Sequence, residues 1–135
     1  MIQQFWVNLP VKDLNKSKEF YRKLGFSVKT RTDQSDQAQL VIGNTTIMLF
    51  PESTFQHFIR HEIADTSSVS EVLFSIDAES KAEVDRMAEL AVTAGGTLFG
   101  KPSDTQGWMY GCGFTDLDGH RWNVLYMDTA MMPKI

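Results

Sequence analysis

The chain has 135 residues and a formal net charge of −4, with 42% hydrophobic and 11% aromatic residues, enough apolar material to pack one domain of ordinary size. Its lysines and arginines form no cluster or stripe and no apolar run approaches the length of a bilayer span, so neither nucleic acid nor membrane is an expected partner. The single cysteine, Cys112, cannot form an internal disulfide, and the opening MIQQFWVNLP lacks the basic start and apolar run of a signal peptide, so a cytoplasmic location is expected.

In chain order, residues 4–11 (QFWVNLPV) are rich in Trp, Phe and Val and predict a strand. Asp13 suits an N-cap, and residues 14–24 then place Leu14, Ser17, Phe20, Tyr21 and Leu24 on one helical face, with Gly25 as the stop. Residues 26–32 alternate apolar and polar, as a half-buried strand does. Residues 38–42 and 45–50 flank the turn pair Gly43-Asn44 and predict a hairpin. The order is β-α-β-β-β.

Residues 51–68 predict a linker, with a short helix turning Phe55, Phe58 and Ile59 inward and a polar Asp-Thr-Ser-Ser end. After it the order recurs. Residues 69–77 (VSEVLFSID) predict a strand. Ser80 and Glu83 form a capping box ahead of a helix whose apolar side carries Val84, Met87, Ala88, Ala91 and Val92, and Gly95-Gly96 ends it. Residues 97–101 predict a short strand, and residues 108–115 and 120–127 flank the turn Asp116-Leu117-Asp118-Gly119. The halves match in element order rather than residue identity. One module covers only one face of its sheet with its helix, which leaves the other for a second module. The expected fold is α+β: a single domain of two βαβββ modules, residues 1–50 and 69–129, whose curved mixed sheets pair.

The stretch VNLPVKDLNKSKEFYRKLGF near the start and FTDLDGHRWNVLYMD near the end resemble the first and last parts of the vicinal oxygen chelate superfamily, which groups glyoxalase I, bleomycin-resistance proteins and extradiol dioxygenases. The resemblance spans essentially the whole chain. It implies paired βαβββ modules, commonly a homodimer, with ligands held in sheet-lined clefts. Metal-dependent members hold a divalent cation with His, Gln or Glu from four strands, because such cations need nitrogen or oxygen donors converging from several directions. Transferred to this chain, those positions carry Trp6, Met48, Glu71 and Asn123, of which only Glu71 is a good donor. A register error of two residues keeps the same strand face and brings in Gln4, Asn8, Thr46, Phe50, Val69, Leu73, Arg121 and Leu125, of which Gln4 alone adds a plausible donor. A metal site at the family positions is therefore not expected.

The remaining candidates are aromatic and polar. Trp6, Met48 and Phe50 are expected to line one side of a cleft and Trp108 and Tyr110 to rim the other, with Asn8, Leu73, Arg121 and Asn123 contributing; large aromatic surfaces with few polar groups suit an organic ligand. Glu71, if enclosed in that cleft, would have its carboxyl pKa raised by desolvation and could serve as a counter-charge or as a catalytic proton acceptor. Trp122 and Tyr126 fall on the opposite strand face and are assigned to helix packing. His57 and His61 share a helical face but lack the H-E-x-x-H order of a metal helix and read as solvated. His120 is expected to shape its turn, and Cys112 to be a small buried residue rather than a nucleophile. The expected function is metal-independent binding of a planar or partly cationic organic molecule by sequestration, with no cofactor. The competing expectation is a lyase or dioxygenase using a divalent metal such as Zn, Ni, Mn or Fe on non-standard ligands, drawn from Gln4, Glu71, His57 or His120; a metal-free enzyme with Glu71 as base is a third.

Overall fold

A computed structural model describes residues 1–30 and 36–133. The chain divides into two compact units, Met1–Asp65 and Thr66–Ile135, each built around a four-stranded sheet. In the first unit the elements are β1 (Trp6–Val11), α1 (Leu14–Lys23), β2 (Ser27–Lys29), β3 (Ala38–Ile42), β4 (Thr45–Pro51) and α2 (Glu52–Ile59). The sheet order is β1-β4-β3-β2, with β1 parallel to β4 and the other pairs antiparallel. Pro10 is tolerated because β1 is an edge strand with a ladder on one side only.

Local chemistry explains α1. The Asp13 carboxylate accepts a hydrogen bond from the Lys16 amide at 3.1 Å, satisfying one of the free donors at a helix start. Arg22 and Lys23 stand in the last turn, where cations meet the negative end of the helix dipole. The buried side of α1 is Ser17, Phe20 and Tyr21. Tyr21 meets Phe20 and Phe26 edge-on, with ring centres 5.2 and 5.3 Å apart. Below lie Leu9, Val11, Leu40, Ile47 and Leu49, all buried, from the helix-facing side of the sheet. Strand alternation then turns Trp6, Asn8, Thr46, Met48 and Gln39 to the other face.

The second unit repeats this plan with β5 (Leu73–Asp77), α3 (Lys81–Thr93), β6 (Thr97–Thr105), β7 (Met109–Thr115) and β8 (Arg121–Met127), in sheet order β5-β8-β7-β6 with β5 parallel to β8. Its core is Trp122, fully buried, stacked on Phe114 at 6.2 Å between ring centres and lying 5.0 Å from Phe74. Val84, Ala88 and Ala91 are the buried residues of α3. Ser80 caps this helix by accepting from the Glu83 amide at 3.1 Å, while the Glu83 carboxylate reaches back to the Glu79 amide at 3.1 Å. The capping box is thus present, with its return bond one residue further upstream than the usual form.

Several expectations are revised. The predicted strand over residues 69–77 begins only at Leu73. Leu73 pairs with Arg121, the first residue of β8; ahead of Arg121 the same chain forms the turn 116–120, whose amides from Asp118 and His120 are taken by the Asp116 carboxylate at 2.9 Å each. The predicted strand 97–101 instead runs to Thr105, and its register shifts around Gly100 and Ser103 accommodate Pro102. Phe58 and Ile59 of α2 are 57% and 42% exposed rather than inward, although Phe58 meets Phe50 edge-on at 5.1 Å. Val92 is 52% exposed, at the margin of the α3 face. Residues 31 and 32, where the strand after α1 was expected to end, lie outside the described residues. Among the described residues, no helix is long and apolar enough to cross a membrane.

Candidate functional site

The open face of the first sheet carries a cavity of about 660 Å³. Its walls come from three places: the segment leading into β1 (Gln3, Gln4, Phe5), the outward positions of β1, β3 and β4 (Trp6, Asn8, Gln39, Thr46, Met48, Phe50), and the β3–β4 turn (Asn44, Thr45). Register explains why they converge. Trp6 stands beside Thr46, Asn8 beside Met48 and Pro10 beside Phe50 across the parallel ladder, and Met48 stands beside Gln39 across the antiparallel one. Gly43, at φ +56°, makes the tight turn that brings Asn44 and Thr45 to the cavity's end.

Four of the sequence-predicted site residues, Trp6, Asn8, Met48 and Phe50, therefore meet in one cavity, and Gln4 and Thr46 join them. Gln3, Phe5, Gln39, Asn44 and Thr45 were missed. Parity could have found Gln39, since it lies between the buried Ala38 and Leu40. Gln3 and Phe5 precede the strand, where alternation gives no guidance.

The second-unit residues are arranged differently. Leu73, Ser75, Arg121 and Asn123 share the open face of their sheet, with Leu73 paired to Arg121 and Ser75 to Asn123. The Arg121 guanidinium lies 4.6 Å from the centre of the Phe99 ring, a cation–π contact. Glu71 is exposed in the loop ahead of β5, so within its own unit it is not an enclosed carboxylate. Trp108 lies in the turn before β7, where its carbonyl accepts from the Asp128 amide at 2.8 Å. Tyr110 faces the helix rather than the open side: its hydroxyl donates to the Asp85 carboxylate of α3 at 2.5 Å. That hydrogen bond first, then desolvation, then the negative charges of Asp85 and Asp104 push the phenol up to about 12. Cys112, on the same side, is buried with its thiol 3.8 Å from the Val84 carbonyl; burial first, then the Asp85 charge, push it up to about 11, far from a reactive thiolate. His120 is buried and its amide closes the 116–120 turn, while His57 and His61 are exposed.

The family positions do not fit a divalent metal. An indole offers no lone pair, a thioether is a poor partner for hard cations, and a carboxamide binds weakly through its oxygen, so Trp6, Met48 and Asn123 leave Glu71 as the one good donor. Among the described residues no three His, Cys, Asp or Glu side chains gather in one place.

Comparisons with known proteins agree with this architecture. A family model described as Glyoxalase/Bleomycin resistance protein/Dioxygenase superfamily matches residues 3–124. Among solved structures, a hypothetical protein from S. aureus is 36% identical, with a TM-score of 0.86 and coverage of 93% of this chain and 94% of that one. A glyoxalase/bleomycin resistance protein/dioxygenase family enzyme from Burkholderia phytofirmans PsJN is 20% identical, with a TM-score of 0.78 and coverage of 90% and 96%. A glyoxalase-related enzyme from Fulvimarina pelagi is 18% identical, with a TM-score of 0.81 and coverage of 93% and 88%. At that level of identity these last two show a shared fold and no more. No curated protein matches the chain. With the module order, both sheet topologies and the family model in agreement over nearly its whole length, the chain belongs to the Glyoxalase/Bleomycin resistance protein/Dioxygenase superfamily.

Proposed function

We propose that the chain binds a small organic molecule on the open face of its first sheet, by shape and apolar contact and without a metal. One observation carries this: a cavity of about 660 Å³ is walled by Trp6, Met48 and Phe50 with carboxamides between them, at a place where the superfamily's metal-dependent members need cation ligands. Concave sites lined by aromatic and apolar groups with a few fixed polar ones are the usual form of a small-molecule pocket. The role is retention of the ligand rather than its conversion. The working form is a homodimer, in which a second copy covers sheet surface that leaves Trp6, Leu73 and Phe99 54%, 52% and 44% exposed.

The test is ligand-induced thermal stabilisation over a library of aromatic compounds, run with and without a chelator. Stabilisation that persists in chelator and disappears in Trp6→Ala is the expected result. Stabilisation that requires added Zn, Ni, Mn or Fe would instead favour a metal enzyme. Glu71→Gln reports on the second unit's carboxylate: unchanged affinity assigns binding to the first sheet alone. Light scattering should return twice the chain mass of 15.3 kDa.

A further inference from the structure

Resting on that reading, the open face of the first sheet also specifies the kind of molecule that suits it. Asn8, Met48 and Gln39 occupy one rung across three strands and all face the cavity. Neighbouring strands lie about 4.8 Å apart, so the two carboxamide-bearing backbones stand roughly 10 Å apart with a thioether between them. Trp6 lines the cavity one rung to one side and Phe50 one rung to the other. The arrangement is a polarisable floor, aromatic flanks and a carboxamide at each edge.

Among the described residues, no Asp, Glu, Lys, Arg or His lines this cavity. Lys29 continues the rung beyond Gln39 on the outer strand, but it is exposed and does not line the cavity. A charged ligand group entering here would give up part of its hydration and meet no counter-charge among the described lining residues. A carboxamide, in contrast, presents an acceptor oxygen beside a donor NH₂, the complement of another amide edge. Met48 supplies a soft sulfur surface and Trp6 a π face, both suited to a flat ring.

We infer that the ligand is an uncharged, flat heteroaromatic molecule with an amide-type edge, a donor beside an acceptor as in a lactam or ring carboxamide, read by Asn8 and Gln39 over Met48. This replaces the expectation of a partly cationic ligand held by Glu71.

Three probes of nearly equal shape separate the possibilities at pH 7: nicotinamide (neutral), nicotinate (anionic) and 1-methylnicotinamide (cationic), each titrated against the full chain by saturation-transfer NMR. The expected result is at least about tenfold tighter binding of nicotinamide than of either ion. Asn8→Leu and Gln39→Met each weaken it by about two- to tenfold, the range of one neutral hydrogen bond. Asn8→Asp shifts preference to 1-methylnicotinamide. Asn8 and Gln39 both lie outside the buried core, so the variants keep the fold, which circular dichroism checks. Equal or tighter binding of an ion, abolished by Trp6→Ala, overturns the ligand class while leaving the cavity as the binding site. Nicotinamide binding indifferent to Trp6→Ala and Asn8→Leu overturns the cavity itself. No binding of any probe up to its solubility limit overturns both.

Discussion

Two glycines on the open side of β7 should respond very differently to the same added methyl group. At Gly111 an added Cβ would stand 2.6 Å from Leu125 Cδ2 and 2.8 Å from the Val124 carbonyl oxygen. The leucine tip can move; the carbonyl belongs to β8, whose Leu125 is the direct ladder partner of Gly111. Relief requires the two strands to part, so Gly111→Ala should cost about 2–3 kcal/mol, the upper part of the usual overpacking range. At Gly113 the nearest atoms to the added Cβ all belong to the Phe99 ring, 2.5 Å away at Cε1 and closer still at Cζ. That ring is 44% exposed and can swing outward. The loss is its stacking on Arg121, about 0.5–1 kcal/mol, plus some 50 Å² of apolar cover worth about 1.2 kcal/mol at ~25 cal/mol per Å². Removing a glycine from a strand returns about 0.5–1 kcal/mol, so Gly113→Ala should cost about 1 kcal/mol. At about 2–8 °C per kcal/mol for domains of this size range, Tm measured by calorimetry should fall about two- to threefold further for Gly111→Ala. In a Phe99→Ala background the Gly113→Ala cost should vanish, because the ring that crowds the added methyl most closely is gone. Equal Tm losses at the two sites, or a Gly113→Ala cost that survives Phe99→Ala, would refute the steric reasoning.

Asp116→Ala should destabilise by about 2–3 kcal/mol, since it frees the Asp118 and His120 amides, each held at 2.9 Å, in a site where Asp116 itself is buried; chemical denaturation measures it, and Asp116→Asn should cost less. Tyr110 titrates at about 12 against an ordinary 10. Its folded-state pKa is the raised one, so the associated stability is fully present below pH 10 and is lost as pH rises through about 12. Spectrophotometric titration should find this late-ionising tyrosine, and Asp85→Asn should bring it back toward 10; an unmoved midpoint would separate Tyr110 from Asp85. Cys112, raised to about 11 and buried, should resist a disulfide thiol reagent at pH 8 until denaturant unfolds the second unit.

Much of the fold could be read from local chemistry. Asp13, Ser80, Gly25 and the Gly43-Asn44 pair punctuate elements through bonds and backbone angles that involve only near neighbours, and each sits where its residue type predicts. The errors arise where a distant strand decides. Residues 69–72 have the composition of a strand but no ladder to join, because the opposing segment is spent on the Asp116 turn. Residues 102–105 contain a proline that argues against a strand, yet β7 carries them across a register shift. For the candidate site, period-two alternation sorted Trp6, Asn8, Met48 and Phe50 onto one face because neighbouring core positions anchor the parity. Tyr110 was placed toward a cleft although it shares parity with Cys112 and Phe114; the glycines at 111 and 113 marked the open side instead.

Each sheet is completed by its own first and last strands lying side by side, Trp6 against Thr46 in one unit and Leu73 against Arg121 in the other. During synthesis this imposes a timetable. The first half has every strand it needs once Pro51 has left the ribosome, while the second cannot lay down β5 until β8, its final strand, arrives. The growing chain thus carries one finished half and one waiting half for most of the second module's synthesis, and Leu73, exposed even in the finished protein, spends that interval without a neighbour.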